Sequence, residues 1–179
     1  MNTAEMIAQS VETVTQMMAI AAITAPKAKG ENFVAVEVLQ GPVLQELSQA
    51  MIAFGEQAHK TNFDRDGKNV AKSEAVVLIG LKEPNTAGLN CGACGYPTCA
   101  ELLLQPPYQG EFRGPMCAYR LLDMGIAIGS AVKTASLLNV DNRIMYRIGT
   151  VAREMGLVDW HFVMGIPLSV TGKSIYFDR

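Results

Sequence analysis

Cys91, Cys94, Cys99 and Cys117 are the only cysteines of the chain, and they stand as C-x2-C-x4-C-x17-C. Four thiols in one window can close disulfides, hold a zinc ion or hold an iron-sulfur cluster. Disulfides need an oxidising compartment, usually reached through a secretory leader. The N-terminus instead carries Glu5 and Glu12 and no basic residue before Lys27, so the apolar residues 17–24 lack the positively charged start of a signal peptide. A reduced, cytoplasmic setting is the expectation.

Zinc sites made of four cysteines usually come as two short-spaced pairs, whereas here three cysteines crowd together and the fourth is remote. The string Cys91-Gly92-Ala93-Cys94-Gly95-Tyr96-Pro97-Thr98-Cys99 adds a second argument. Gly92 and Gly95 permit the positive-φ turns by which a loop wraps a cluster and aims its N–H groups at sulfur. The spacing and the loop therefore favour iron-sulfur over zinc, and zinc over a disulfide.

CGACGYPTC followed by a distant cysteine resembles the four-cysteine [4Fe-4S] motif of the corrinoid iron-sulfur protein and of an electron-transport complex subunit. The match runs over about residues 90–118 and takes in all four cysteines, Gly92, Gly95 and the Pro97-Thr98 pair. This resemblance implies a [4Fe-4S] cluster with Cys91, Cys94, Cys99 and Cys117 as its ligands.

The elements that must carry this loop are legible from periodicity. Thr3 is a candidate cap for a helix reaching Thr24, with Val11, Val14, Met18 and Ala21 near helical spacing and Pro26 as its stop. Residues 32–39 read as a strand ended by Gly41-Pro42, and residues 43–59 return to a helical period through Leu44, Leu47, Met51 and Phe54. Asp66-Gly67 marks a turn before the apolar strand 75–81, after which the cysteine loop begins.

A short helix at 100–104 and a Pro-rich stretch follow, with Cys117 at the head of a helix running to about Leu138. That helix is apolar nearly all round, which predicts a central, buried position. Gly125 and Gly129 on it suit close packing, on a sheet by preference or between subunits. A helix at 142–155 ends at Gly156, residues 158–164 alternate as a strand, and residues 174–177 are a candidate for the last one.

This order is α+β, with a mixed, mainly antiparallel sheet wrapped by helices. The 179 residues, 49% hydrophobic and 18% charged, suit one domain over 1–179 with residues 90–118 as the cluster-binding segment. A net charge of -2 without charge blocks gives no reason to expect nucleic acid or an anionic membrane as partner, and no stretch has 18 uninterrupted apolar residues.

Ala21-Ala22 to Ala25-Pro26, the helix from Gly125 to Leu138, and Met164-Gly165-Ile166-Pro167 look like the nitroreductase family. That resemblance implies a nitroreductase-like fold, FMN as a second cofactor, an oxidoreductase activity and a homodimer built on the long helix. The chain departs from the family by having no arginine before Arg65 and by placing Lys27-Ala28-Lys29-Gly30 where the family's polar flavin contacts stand. Lys27, Lys29, Lys173 and Arg179 remain as cations for a flavin phosphate, against the plainer reading of solvated surface charge.

The GACGYPTC core and the terminal Gly172-Lys173-Ser174-Ile175-Tyr176-Phe177-Asp178-Arg179 are also similar to a family of bacterial and archaeal ferredoxin-domain proteins. His59 and His161, the only histidines, have no nucleophile or ligand partner in the pattern, and no catalytic residue is assignable. Two classes remain. One is an iron-sulfur redox protein working with a partner protein or a small electron donor or acceptor; the other is a structural or sensory metal site.

Overall fold

The structure is a computed structural model that describes residues 1–177. In chain order its elements are α1 (Thr3–Thr24), β1 (Val34–Gln40), α2 (Val43–Gln57), α3 (Phe63–Val70), β2 (Ala75–Leu81), α4 (Cys99–Leu103), β3 (Tyr108–Gln109), β4 (Arg113–Gly114), α5 (Ala118–Leu137), β5 (Asp141–Asn142), α6 (Tyr146–Glu154) and β6 (Phe162–Ser169). The main sheet runs β1-β2-β6-β5 with every pair antiparallel, and β3 and β4 form a separate hairpin.

β2 is buried along its whole length because both faces of the sheet are covered. Side chains alternate across a strand, so Ala75, Val77, Ile79 and Leu81 enter the core beneath α1 and α5, with Val11, Met18, Ala127 and Ala131. Val76 and Leu78 enter the opposite core beneath α2, α3 and α6, with Leu47, Met51, Phe63 and Ile148. A continuous apolar run is what a strand between two helical layers requires.

α1 is capped by Asn2 rather than Thr3. The Glu5 N–H donates to Asn2 Oδ1 at 3.0 Å while the Asn2 N–H donates to Glu5 Oε2 at 2.9 Å, a reciprocal pair that satisfies two otherwise orphan amides. By length and composition α1 could cross a membrane (mean hydropathy 1.2), yet its Val11, Val14, Met18 and Ala22 are built into the sheet's core.

Asp66-Gly67, expected as a turn, lies inside α3. Two tertiary contacts override the local preference. The buried Asp66 carboxylate pairs with Arg65 at 2.7 Å and with Arg147 at 2.9 Å, and a Cβ on Gly67 would stand 2.8 Å from the Ser48 carbonyl oxygen of α2. Glycine is there for the close approach of two helices, not for a bend.

The expected helix 142–155 starts at Tyr146, because Asp141 and Asn142 pair with Ser169 and Leu168 as a sheet edge. The expected strand 158–164 is also displaced. Val158 and Trp160 belong to the α2–α6 core and Phe162 and Met164 to the α1–α5 core, so the chain changes face between them and β6 begins only at Phe162. Residues 174–177 form no strand, and Asp178 and Arg179 lie outside the described residues.

Tyr176 is nonetheless buried, with its hydroxyl 2.9 Å from Ser73 Oγ. Burial pushes its pKa up to about 12, against a smaller lowering by the hydrogen bond with Ser73. Between about pH 10 and 12 the unfolded chain loses this proton while the folded chain keeps it, so stability is full below about pH 10 and falls by on the order of 2 kcal/mol across that window. Urea denaturation of the wild type and Tyr176→Phe at about pH 9 and pH 11.5 should show that alkaline loss in the wild type and a shallower one in the variant. Equal slopes would contradict the assignment.

α5 is half covered, not wrapped on all sides. Its Met124, Ala127, Ile128, Ala131 and Ala135 pack inward, whereas Leu122, Gly125, Ile126 and Gly129 form an exposed stripe. A Cβ on Gly125 or Gly129 would meet nothing within 4 Å. The two glycines therefore do not pack on the sheet.

Candidate metal centre

The cysteine loop leaves the end of β2 and returns to the main domain at the start of α5. Its course needs left-handed backbone at Gly88, Asn90, Gly92 and Gly95, with φ from +47° to +88°. Such turns expose successive N–H groups on one side and favour an anion there. Thr98 then caps α4, its Oγ1 accepting the Glu101 N–H at 3.2 Å, and Cys99 is the first residue of that helix.

Asn90 and Cys99 hold each other. The Asn90 N–H donates to Cys99 Sγ at 3.4 Å, and the Cys99 N–H donates to Asn90 Oδ1 at 2.9 Å. The Asn90 N–H is the main cause holding the Cys99 thiol below its ordinary pKa; burial opposes it, and the Thr86 hydroxyl and the Leu89 and Gly88 amides add to it. This is a sulfur atom surrounded by donors to its thiolate form.

Cys117 is buried at the N-cap of the 20-residue α5, where the helix field favours negative charge. All four cysteines, with Gly92, Tyr96 and Tyr119, line one cavity. Ala87, Leu102 and Cys117 form a small buried cluster with Cys94 and both tyrosines packed against it, which keeps water from one side. Cys91 is exposed, and Cys94 and Cys99 are partly buried. Among the described residues no three His, Cys, Asp or Glu side chains gather closely enough to hold a single ion. Four soft donors, amide hydrogen bonds to sulfur and an apolar wall are the chemistry an iron-sulfur cluster asks of its site.

Arg120, three residues beyond Cys117, is absent from the sequence-based candidates and is the most heavily engaged side chain at the site. It is 0% exposed. Nε donates to the Asn85 carbonyl at 3.1 Å, Nη1 to the Ala28 carbonyl at 3.1 Å and Asp123 Oδ2 at 3.2 Å, and Nη2 pairs with Glu31. Asp123 Oδ1 accepts the Ala28 N–H at 2.8 Å, and the guanidinium lies 4.6 Å over the Phe33 ring. One buried cation thus joins the segment after α1, the stem of the cysteine loop and α5. The signal in the sequence is an arginine and an aspartate three apart in an otherwise apolar helix.

The remaining candidates separate. Lys27 does not fit a phosphate role: its Nζ donates to the carbonyls of Ala22, Ile23 and Ala25 at 2.6–2.8 Å and closes the end of α1. Lys29 and Lys173 are exposed, and Arg179 lies outside the described residues. His59 takes a left-handed conformation on the exposed surface after α2. His161 lies away from the four-cysteine cavity, on the wall of a neighbouring cleft.

The domain has a nitroreductase-like fold, with a loop carrying the cysteines between β2 and α5. Solved structures share the fold at TM-scores of 0.58, 0.58 and 0.57: the FMN-dependent nitroreductase NfnB from Mycobacterium smegmatis (12% identical, 90% of this chain, 78% of that one), nitroreductase CinD from Lactococcus lactis in complex with nicotinic acid (14%, 93% and 84%), and a nitroreductase with bound FMN from Desulfitobacterium hafniense (13%, 90% and 78%). Identity this low carries the fold alone.

The family described as "Uncharacterized protein containing a ferredoxin domain (DUF2148)" matches residues 113–179, and the family described as "Putative Fe-S cluster" matches residues 87–103. An "Uncharacterized protein" of Archaeoglobus fulgidus is 44% identical over 171 residues, 96% of this chain and 92% of that one. The chain belongs to this family of ferredoxin-domain proteins and is an iron-sulfur protein.

Proposed function

We propose that the chain is an iron-sulfur redox protein that holds one [4Fe-4S] cluster through Cys91, Cys94, Cys99 and Cys117 and serves electron transfer or a reductase. The carrying observation is the single cavity lined by all four cysteines, with Cys99 Sγ inside a ring of N–H and O–H donors. When bound, such a cluster supplies one-electron chemistry at a potential set by burial and hydrogen bonds to sulfur. Gly88, Leu89, Asn90 and Thr86 hold the charge on Cys99, and the buried Cys117 anchors the inner side.

Two features support a redox role over a structural one. Cys91 is exposed, leaving a short route for a redox partner. The loop is also tied by its own bonds, through Asn90 and Arg120, and does not depend on metal as its only staple. An electron paramagnetic resonance titration of anaerobically purified protein should give a reversible one-electron midpoint; reduction only with loss of the fold would favour the structural role. An iron-sulfur cluster on these thiols suits a reducing compartment, and a cytoplasmic location belongs to the same reading.

A homodimer belongs to the same reading. The Leu122, Gly125, Ile126 and Gly129 stripe of α5 and the exposed Met17 and Ile20 of α1 support a second copy as the occupant, since small residues let two helices approach closely. Light scattering should give twice the chain mass of 19.3 kDa; a monomer at micromolar concentration would contradict it.

A further inference from the structure

Beside the cysteine cavity lies a cleft of about 430 Å³, between the cysteine loop and the β3–β4 hairpin. Cys117 is a wall of both. Pro84, Leu102 and Met116 give the cleft an apolar side, and Arg113 and His161 give it a polar end. A concave, mostly apolar space with a few convergent polar groups is the usual form of a small-molecule site, and this volume is within the usual range.

The polar end holds two arginines, Arg113 and Arg153, with Asp159 and Glu83 as the carboxylates near them. Arg113 is fixed by its backbone N–H donating to the His161 carbonyl at 2.9 Å and its Nε to Gln109 Oε1 at 3.3 Å. Its acidic partner is Asp159, whose side chain is 83% exposed, so the pair is solvated and exchangeable. Burial first, and then the nearby charge of Arg113, hold the Arg153 guanidinium below its ordinary pKa, against an opposing effect of Asp159. His161 Nδ1 is buried with no hydrogen-bond partner, a costly state for a polar atom. Burial first, and then Arg113 and Arg153, hold this imidazole below its ordinary pKa, so it meets a ligand in neutral form.

We propose that this cleft binds a small organic anion, its carboxylate taking the place of Asp159 on Arg113 within reach of His161, and its apolar body lying on Leu102 and Met116 against Cys117. Placement beside the cluster rests on the redox reading above; the binding does not. A carboxylate matches the guanidinium fork better than a neutral group of the same shape.

Calorimetric titration of the full cluster-bearing chain with 1-naphthoate, and with 1-naphthalenemethanol as the neutral counterpart, tests this. The expected result is saturable one-to-one binding of the acid, about tenfold weaker for the alcohol and for Arg113→Gln, and a few-fold tighter for the exposed-site variant Asp159→Asn. In the reduced protein the proton resonances of bound 1-naphthoate should broaden, because the ligand sits against Cys117. Absence of saturable binding in iron-loaded protein, equal affinity for the alcohol, or indifference to both variants would overturn the proposal. Intact binding in protein that lacks iron when purified without oxygen leaves this proposal standing, and the missing iron overturns only the cluster reading.

Discussion

Arg120→Met should be among the most damaging single substitutions in this chain, costing about 3–5 kcal/mol of folding stability, because it strands the buried Asp123 carboxylate without its cation. It also removes the donors that the carbonyls of Ala28 and Asn85 receive. Arg120→Lys should recover little, since one ammonium cannot span carbonyls on two different segments and a carboxylate at once. The double variant Arg120→Met/Asp123→Asn should recover part of the loss, because the unpaired charge is gone. Urea denaturation with iron content measured in parallel reads both effects. A cost below about 1 kcal/mol for Arg120→Met would mean that the three segments are held by something else.

The second large effect falls on the thiols. Cys99→Ala and Cys117→Ala should each lower bound iron from about four atoms per chain to less than about one, with loss of the visible charge-transfer absorption, since no other cysteine exists to replace a ligand. Cys99→Ala also leaves the Asn90 N–H and the Thr86 hydroxyl without their acceptor, so the loop loses a clamp together with a ligand. Cys91 is the exposed corner, and Cys91→Ala should leave the loop better ordered than Cys99→Ala by hydrogen exchange at residues 86–99. Iron content unchanged in Cys99→Ala would remove that residue from the ligand set.

Local chemistry makes much of this site readable in the sequence. Cysteine spacing and the paired glycines point to a wrapping loop, and Gly88, Asn90, Gly92 and Gly95 do adopt left-handed backbone there. Helical period and the stop at Pro26 define the extent of α1, and the unbroken apolar run of β2 announces a strand covered on both faces.

What stays hidden depends on partners remote in sequence. Asp66-Gly67 looks like a turn until Arg147 and Ser48 are brought against it. Arg120 looks like surface charge until Ala28, Glu31 and Asn85 converge on it. An all-round apolar helix does not announce which of its faces is covered, so periodicity alone favours the sheet for Gly125 and Gly129, which in fact face outward. The alternation from Val158 to Met164 is real in sequence but divides between two cores, because the chain changes face before Phe162.

The most direct test of the iron-sulfur assignment is an assay of iron, acid-labile sulfide and zinc on the full chain purified without oxygen. About four iron and about four sulfide per chain, with no zinc, is the predicted result. Zinc at full occupancy with no iron would contradict it.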